Sequence, residues 1–329
     1  MIITRTPFRV SFCGGGSDLP AFYEECEGCV ISTSVNKYMY VTIHPYFDPN
    51  QIVLKYSRTE IVDSIDAIDH KILKSVLRDF NLKGLEITSI ADVPSGTGLG
   101  SSSSFTVGLL HSLYCYVGKY VSKERLASEA CETEIEKVLS PIGKQDQYAA
   151  AYGGLNFFTF HPSGKVFVEP IIMRPQSYKA LEESLLMFYT GDVRSANTIL
   201  REQGQNMSDR QKFKNLKKIV DMTRALKTAL ERNDMDALGS VLDESWRLKK
   251  TLSSGITNER IESYYELALK NGALGGKLLG AGGGGFLLFY CKPEEQDRLR
   301  QALHELQEMP FRLDWEGSKV VYVGDKNWD

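Results

Sequence analysis

The sequence has no apolar run of the length a membrane span needs. It also has no excess of basic residues: 39 Lys and Arg face 42 Asp and Glu, for a net charge of -3. That balance argues against a nucleic-acid-binding surface, which needs a basic excess or stripe. An anionic ligand would have to be held by a few local cations or backbone N–H groups. The first residues, MIITRTPFRVSF, lack the charged-then-apolar layout of a signal peptide, so the expected compartment is the cytoplasm. The five histidines (44, 70, 111, 161 and 304) are dispersed, and the six cysteines include a single C-x-x-C pair, Cys26 and Cys29. A zinc centre wants a second pair or histidines at close spacing, so this pair reads as two reduced thiols around a turn at Gly28. There is no repeat and no low-complexity tail.

What is present is an α+β pattern over 329 residues, a length suited to two domains. Residues 7–12 alternate, with Phe8, Val10 and Phe12 on one face, and read as a strand. Residues 29–45, 51–57 and 83–92 are further strands, rich in β-branched and aromatic residues. Helices are expected at 66–80 and from about 105 to 117, and a third runs from a Ser122 cap to about Val138. Strands follow at 155–160 and 165–171. The pattern weakens around 174–183, which sets the expected boundary: 1–178 as an N-terminal domain and 179–329 as a C-terminal one. The second part opens with a buried-strand signature at 184–191. Helices are expected at about 194–204, 208–232, 234–252 and 257–271. A strand, a glycine turn and a strand then span 275–291.

Three glycine-rich turns stand out, at 14–16, 96–100 and 280–285. Glycine permits positive φ and lets backbone approach a ligand closely. Only the second, in DVPSGTGLGSSSS (92–104), lies between a strand and a strong helix. A glycine turn opening a helix aims unpaired N–H groups, with the helix dipole, at one point, which is a phosphate site. A Gly/Ser linker is the competing reading of that composition. The stretch is neither a Walker A loop nor a Rossmann fingerprint. GAGGGG (280–285) matches G-x-G-x-x-G but precedes a strand, so it reads as a tight turn or as backbone pressed against a ligand.

The three turns together resemble a known superfamily. PSGTGLGSSSS is similar to the second motif of the GHMP kinases, PFRVSFCGGGSD falls where their first lies, and KLLGAGGGGFLL resembles their third. Order and spacing agree over nearly the whole chain. The resemblance implies an N-terminal domain like the second domain of ribosomal protein S5, a C-terminal ferredoxin-like domain, and ATP with Mg²⁺ between them. It implies phosphate contacts from Gly96, Thr97, Gly98, Leu99, Gly100, Ser101 and Ser102. Ser102 matches the metal-binding serine. The partner carboxylate lies shortly before the PIGKQD segment, where Glu136 is the best match and Glu132 and Glu134 are its neighbours. Asp146 matches the catalytic aspartate, as a base or as an orienting charge, and Arg9 the basic residue beside it.

Where galactokinase-like members bind sugar hydroxyls with Gly-Glu-His-x-Asp, this chain has Gly14, Gly15, Gly16, Ser17 and Asp18. Hydroxyl recognition by Asp18 carries over, with Gly15, Gly16, Ser17, Gly282 and Gly283 as further substrate contacts. FRVSFCGGGSDLPAFY resembles the branch of anomeric sugar kinases that includes heptose 7-phosphate kinases, with fucokinases close to it. The implied substrates are a sugar phosphate and ATP, with neither nucleic acid nor membrane as partner; monomer and homodimer both stay open. A cation cluster for the sugar's own phosphate could come from Lys37, Lys144, Arg174, Arg194 or Lys277. A kinase for another sugar, such as fucose or galactose, or for an isoprenoid alcohol, and a non-catalytic nucleotide-binding regulator of the same fold are the alternatives.

Overall fold

The computed structural model describes residues 1–191 and 196–324. Alternation in the first residues builds β1 (Ile2–Cys13), which enters a one-turn helix, α1 (Pro20–Tyr23), through the first glycine turn. The long β2 (Gly28–Pro45) runs antiparallel to the whole of β1. A hairpin, β3 (Ile52–Lys55) and β4 (Thr59–Val62), and the helix α2 (Lys71–Phe80) lead to β5 (Leu85–Ala91). Helices α3 (Ser101–Tyr116), α4 (Lys123–Cys131) and α5 (Gln145–Tyr152) follow, then the hairpin β6 (Leu155–Phe160) and β7 (Val166–Pro170). β2 is long enough to serve two partners: its first third pairs with β6 and its last third with β5. α3 is apolar almost all round, as a central helix must be, and packs on β1, β2, α4 and α5.

The segment of weak pattern is a helix, α6 (Pro175–Glu183), which buries only Leu181. Beyond it lie β8 (Leu185–Tyr189), α7 (Ala196–Gln205), α8 (Arg210–Glu231), α9 (Asp236–Lys249) and α10 (Glu259–Lys270). β9 (Ala273–Leu278), β10 (Phe286–Cys291), α11 (Gln296–Ala302) and β11 (Gln307–Glu308) complete the second sheet. Its order is β11-β8-β10-β9, all antiparallel, which is the ferredoxin-like arrangement. α9 lies on β9 and β10 and reaches β1 of the first sheet, and α8 lies on β2. Apolar side chains of both parts therefore share one continuous core.

The expected boundary lies at 178/179. That point falls inside α6, and the last strands, β12 (Leu313–Asp314) and β13 (Lys319–Val323), return to the first sheet beside β2 and β1. Polarity in FRLDW and KVVYVG signals strands but carries no information on which sheet they join. The return is anchored at Asp314, which is buried. It accepts from the Tyr38 hydroxyl at 2.9 Å and from the N–H groups of Glu316 and Gly317 at 3.0 and 3.2 Å. Removing it by Asp314→Ala strands those donors and should cost about 2 kcal/mol, read as a lower urea midpoint. An unchanged midpoint would mean the returning strands do not hold the first sheet together.

Candidate active site

Between β5 and α3 the chain turns on three glycines. Gly96, Gly98 and Gly100 have φ of 77°, 88° and 75°, where a Cβ would be strained. Gly100 is the N-cap of α3 and brings no capping side chain. The first N–H groups of the helix, at Ser101–Ser103, are therefore left to a ligand, in the field of the helix dipole. Those serines line a cleft of about 320 Å³ together with the glycines of 96–100 and of 280–284. Thr97 and Leu99 are buried and do not line the cleft.

Arg9 comes from β1 and Asp146 from the first turn of α5. The guanidinium Nε and Nη2 donate to the two Asp146 oxygens at 2.7 and 2.8 Å, and Nη1 donates to the Gly98 carbonyl at 2.5 Å. The Arg9 backbone N–H also donates to Leu99 O at 3.1 Å. Arg9 is buried, while Asp146 keeps 21% of its side chain exposed, on the cleft side. One arginine thus ties the aspartate to the glycine loop at both of its own ends.

The first glycine turn forms the neighbouring wall. Asp18 is buried and accepts from the N–H of Gly16 at 2.9 Å and of Gln145 at 3.3 Å. Burial, then the Asp146 charge, raises its carboxyl above the usual range. Gly143 must be glycine, because a Cβ there would stand 2.0 Å from Asp18 Oδ2. At Gly16 a Cβ would stand 2.0 Å from Nε2 of Gln203. The buried Gln145 Oε1 and Gln203 Nε2, both in side chains that line the cleft, have no hydrogen-bond partner among the described residues. These two glutamines were not anticipated; a polar residue inside the helical pattern of α7 was the available signal. Gly15, Gly16, Asp18 and Gly282 line the cleft. Ser17 does not: its hydroxyl donates to Gly14 O and Cys29 O and accepts from Cys29 N, fastening the turn to β2. The Gly283 N–H is likewise spent on Ile256 O.

The carboxylate beside Ser102 is Glu134, not Glu136. The Ser102 hydroxyl donates to Glu134 Oε1 at 2.6 Å, and Gln147 Nε2 donates to Oε2 at 2.8 Å. Glu134 is fully buried, whereas Glu136 is exposed. Helical phase explains the correction. α4 buries Leu126, Ala127, Ala130 and Cys131, and position 134 continues that stripe. The widened π turn at Glu132–Lys137 then carries 136 outward. Burial, with Asp146 adding to it, raises the Glu134 carboxyl. No ion pair to a basic side chain holds Glu134 among the described residues, so its charge is left for a cation from solution. One carboxylate and one hydroxyl, with phosphate oxygens and water, suit Mg²⁺. No cluster of three acidic, cysteine or histidine ligands exists among the described residues.

None of the described cations expected for a sugar phosphate lines the cleft. Lys144 donates to Gly164 O and covers the Tyr23 ring, and Lys277 is buried against Phe12 O. Lys37 and Arg174 lie elsewhere, and Arg194 falls outside the described residues. Beside Arg9, Lys249 lines it, at the end of α9, and donates to Gly280 O at 2.8 Å. Burial, then Arg9, pushes its ammonium down to about 8. A lysine continuing the buried stripe Leu242, Trp246 was the sequence signal. Cys29 is buried with a raised thiol, and none of the six cysteines is in a disulfide. No described helix is long and apolar enough to cross a membrane.

A helix start with open N–H groups, beside a guanidinium-held aspartate and a buried carboxyl, is the equipment of a small-molecule phosphotransferase. Residues 68–154 match the GHMP kinase N-terminal domain and residues 225–308 the GHMP kinase C-terminal domain. The chain is 31% identical to D-glycero-alpha-D-manno-heptose 7-phosphate kinase of Campylobacter jejuni over 99% of its length and 98% of that protein's. It is 24% identical to the galactokinase of Pyrococcus furiosus, over 97% of each chain. The solved structure of a D-glycero-D-manno-heptose 1-phosphate kinase from Bacteroides thetaiotaomicron superposes with a TM-score of 0.81 at 24% identity, covering 99% of this chain and all of that one. The chain belongs to the GHMP kinases, and it is a sugar kinase that uses ATP as substrate.

The raised Glu134 carboxyl has a consequence for stability. It holds its proton more readily folded than unfolded. Its stabilising share is therefore full below the unfolded value of about 4.3 and is lost as pH rises through the higher folded one. Glu134→Gln should gain in melting temperature over the parent as pH rises above about 4.5, with Mg²⁺ absent. Glu136→Gln should track the parent. Parallel curves for all three proteins would show that the charge at 134 is already compensated.

Proposed function

We propose that this kinase transfers the γ-phosphoryl group of ATP to the anomeric hydroxyl of a heptose 7-phosphate, D-glycero-α-D-manno-heptose 7-phosphate, giving the 1,7-bisphosphate. The observation that carries the reading is the full-length 31% identity to a kinase named for that substrate. The chain's own residues agree with a polyol acceptor: Asp18, Gln145 and Gln203 surround two glycines that leave room for a larger sugar. Six cysteines outside any disulfide fit a reducing cytoplasm.

In this mechanism the N–H groups of Ser101–Ser103 and the glycines of 96–100 hold the nucleotide phosphates. Ser102 and Glu134 hold Mg²⁺, which supplies charge neutralisation at the phosphate oxygens. Asp18 orients the sugar by its hydroxyls. The anomeric oxygen attacks the γ-phosphorus as the bond to the ADP oxygen breaks. The hydroxyl proton passes to Asp146, which Arg9 orients by donating to both of its oxygens.

A panel of acceptors read by ADP release tests the substrate. Strong release is expected with heptose 7-phosphate and little with galactose, fucose or mevalonate. Equal turnover of free galactose would overturn the assignment. Asp146→Asn should lower kcat by at least about 100-fold while ATP affinity stays within a few-fold, measured by calorimetry. Parent-like turnover in that variant would remove Asp146 from the chemistry.

A further inference from the structure

Among the described residues Lys249 is a buried cation without a charge partner. It ends α9, the helix that packs on the second sheet and touches β1. Its ammonium makes one hydrogen bond among the described residues, to Gly280 O, which leaves two of its three donors unused. No carboxylate lies within ion-pair distance of it among the described residues. Arg9 and Lys277 act against its charge, and Asp18 and Asp146 favour it from farther off. Burying an ammonium in this way is costly unless an anion joins it.

Its position says which anion. A Cβ on Gly15 would stand 3.8 Å from Lys249 Nζ, so the ammonium borders the acceptor turn. Gly280, which it holds by the carbonyl, lies against the phosphate loop: a Cβ there would stand 2.6 Å from Gly98 Cα. Lys249 therefore sits where the acceptor turn, the phosphate loop and the third glycine turn converge. Arg9 is less free to serve there, since Nε, Nη1 and Nη2 are each engaged by Asp146 or Gly98.

Resting on the kinase reading of the cleft, we propose that Lys249 is a further catalytic residue, whose ammonium donates to the γ-phosphoryl oxygens of ATP as that group crosses to the acceptor. Arg9 then serves mainly to hold Asp146, and the cation for the moving charge comes from the other half of the molecule. Each new hydrogen bond from a buried ammonium strengthens as negative charge gathers on the phosphoryl oxygens.

The test uses Lys249→Met, which keeps the length of the side chain and removes the charge, and Lys249→Gln, which keeps a donor for Gly280 O. Nucleotide binding is measured first, without any sugar. Both variants should lose about 10-fold in ATP affinity while ADP affinity stays within about two-fold. The melting temperature of Lys249→Met should be unchanged or higher, because a desolvated charge has gone. Turnover with the best acceptor of the panel should fall about 100-fold. An unchanged ATP-to-ADP ratio overturns the proposal. So does recovery of that ratio in Lys249→Gln, which would reduce the lysine to a pin for the glycine turn. A rise confined to KM for the sugar phosphate overturns it too, assigning the ammonium to the sugar's own phosphate. A parent protein inert toward every sugar would defeat the substrate reading alone, because the binding ratio is obtained without an acceptor.

Discussion

Backbone meets backbone where the turn at Gly96–Gly100 packs against the turn at Gly280–Gly285. A Cβ at Gly98 would lie 2.4 Å from Leu279 O, and one at Gly285 would lie 2.3 Å from Thr97 O. Any side chain in this seam would force the turns apart. The consequences run through the whole site. The seam brings the second sheet's glycines up to the start of α3, so that a single cleft has walls from both halves. It fixes the carbonyl of Gly98 for Arg9, and Arg9 in turn fixes Asp146. It also places the Gly280 carbonyl where Lys249 meets it. A packing constraint between two loops thereby sets the distances among the charged groups.

Those charged groups are costly without their ligands. Glu134 and Asp18 are buried carboxyls held above their usual range, and Lys249 is a buried ammonium held below its own. On the proposed reading, Mg²⁺ would answer the charge of Glu134 and a phosphate that of Lys249, each relieving a desolvation that folding imposed.

Much of the fold was legible because burial imposes a period on the sequence. Phe8, Val10 and Phe12 marked β1, the dense apolar set Phe105, Val107, Leu109, Leu110 and Leu113 marked the helix α3, and the β-branched run at 29–45 marked β2. The site was legible where glycine and charge stand in a compact local pattern, as in 96–102 and in PIGKQD. It failed where the decisive fact was a helix face. Spacing to PIGKQD favoured Glu136, but the stripe of Leu126, Ala127 and Ala130 runs to Glu134, and a π turn carries 136 to solvent. Lys249 was passed over in the same way, although it prolongs the buried stripe through Leu242 and Trp246. A charge on the buried face of a helix is a stronger pointer to a site than a charge at a familiar distance.

The sequence by itself determined the elements, the three glycine turns and the family, because these depend on residues near one another along the chain. Only the tertiary structure decided which side chains meet across it. Arg9 and Asp146 stand 137 residues apart, and the Lys277–Phe12 contact spans 265. It also decided that the last strands return to the first sheet, where Asp314 waits for Tyr38. Local propensity is read from neighbours, whereas the partner of a buried charge is chosen by packing of distant segments, and no local pattern encodes that choice.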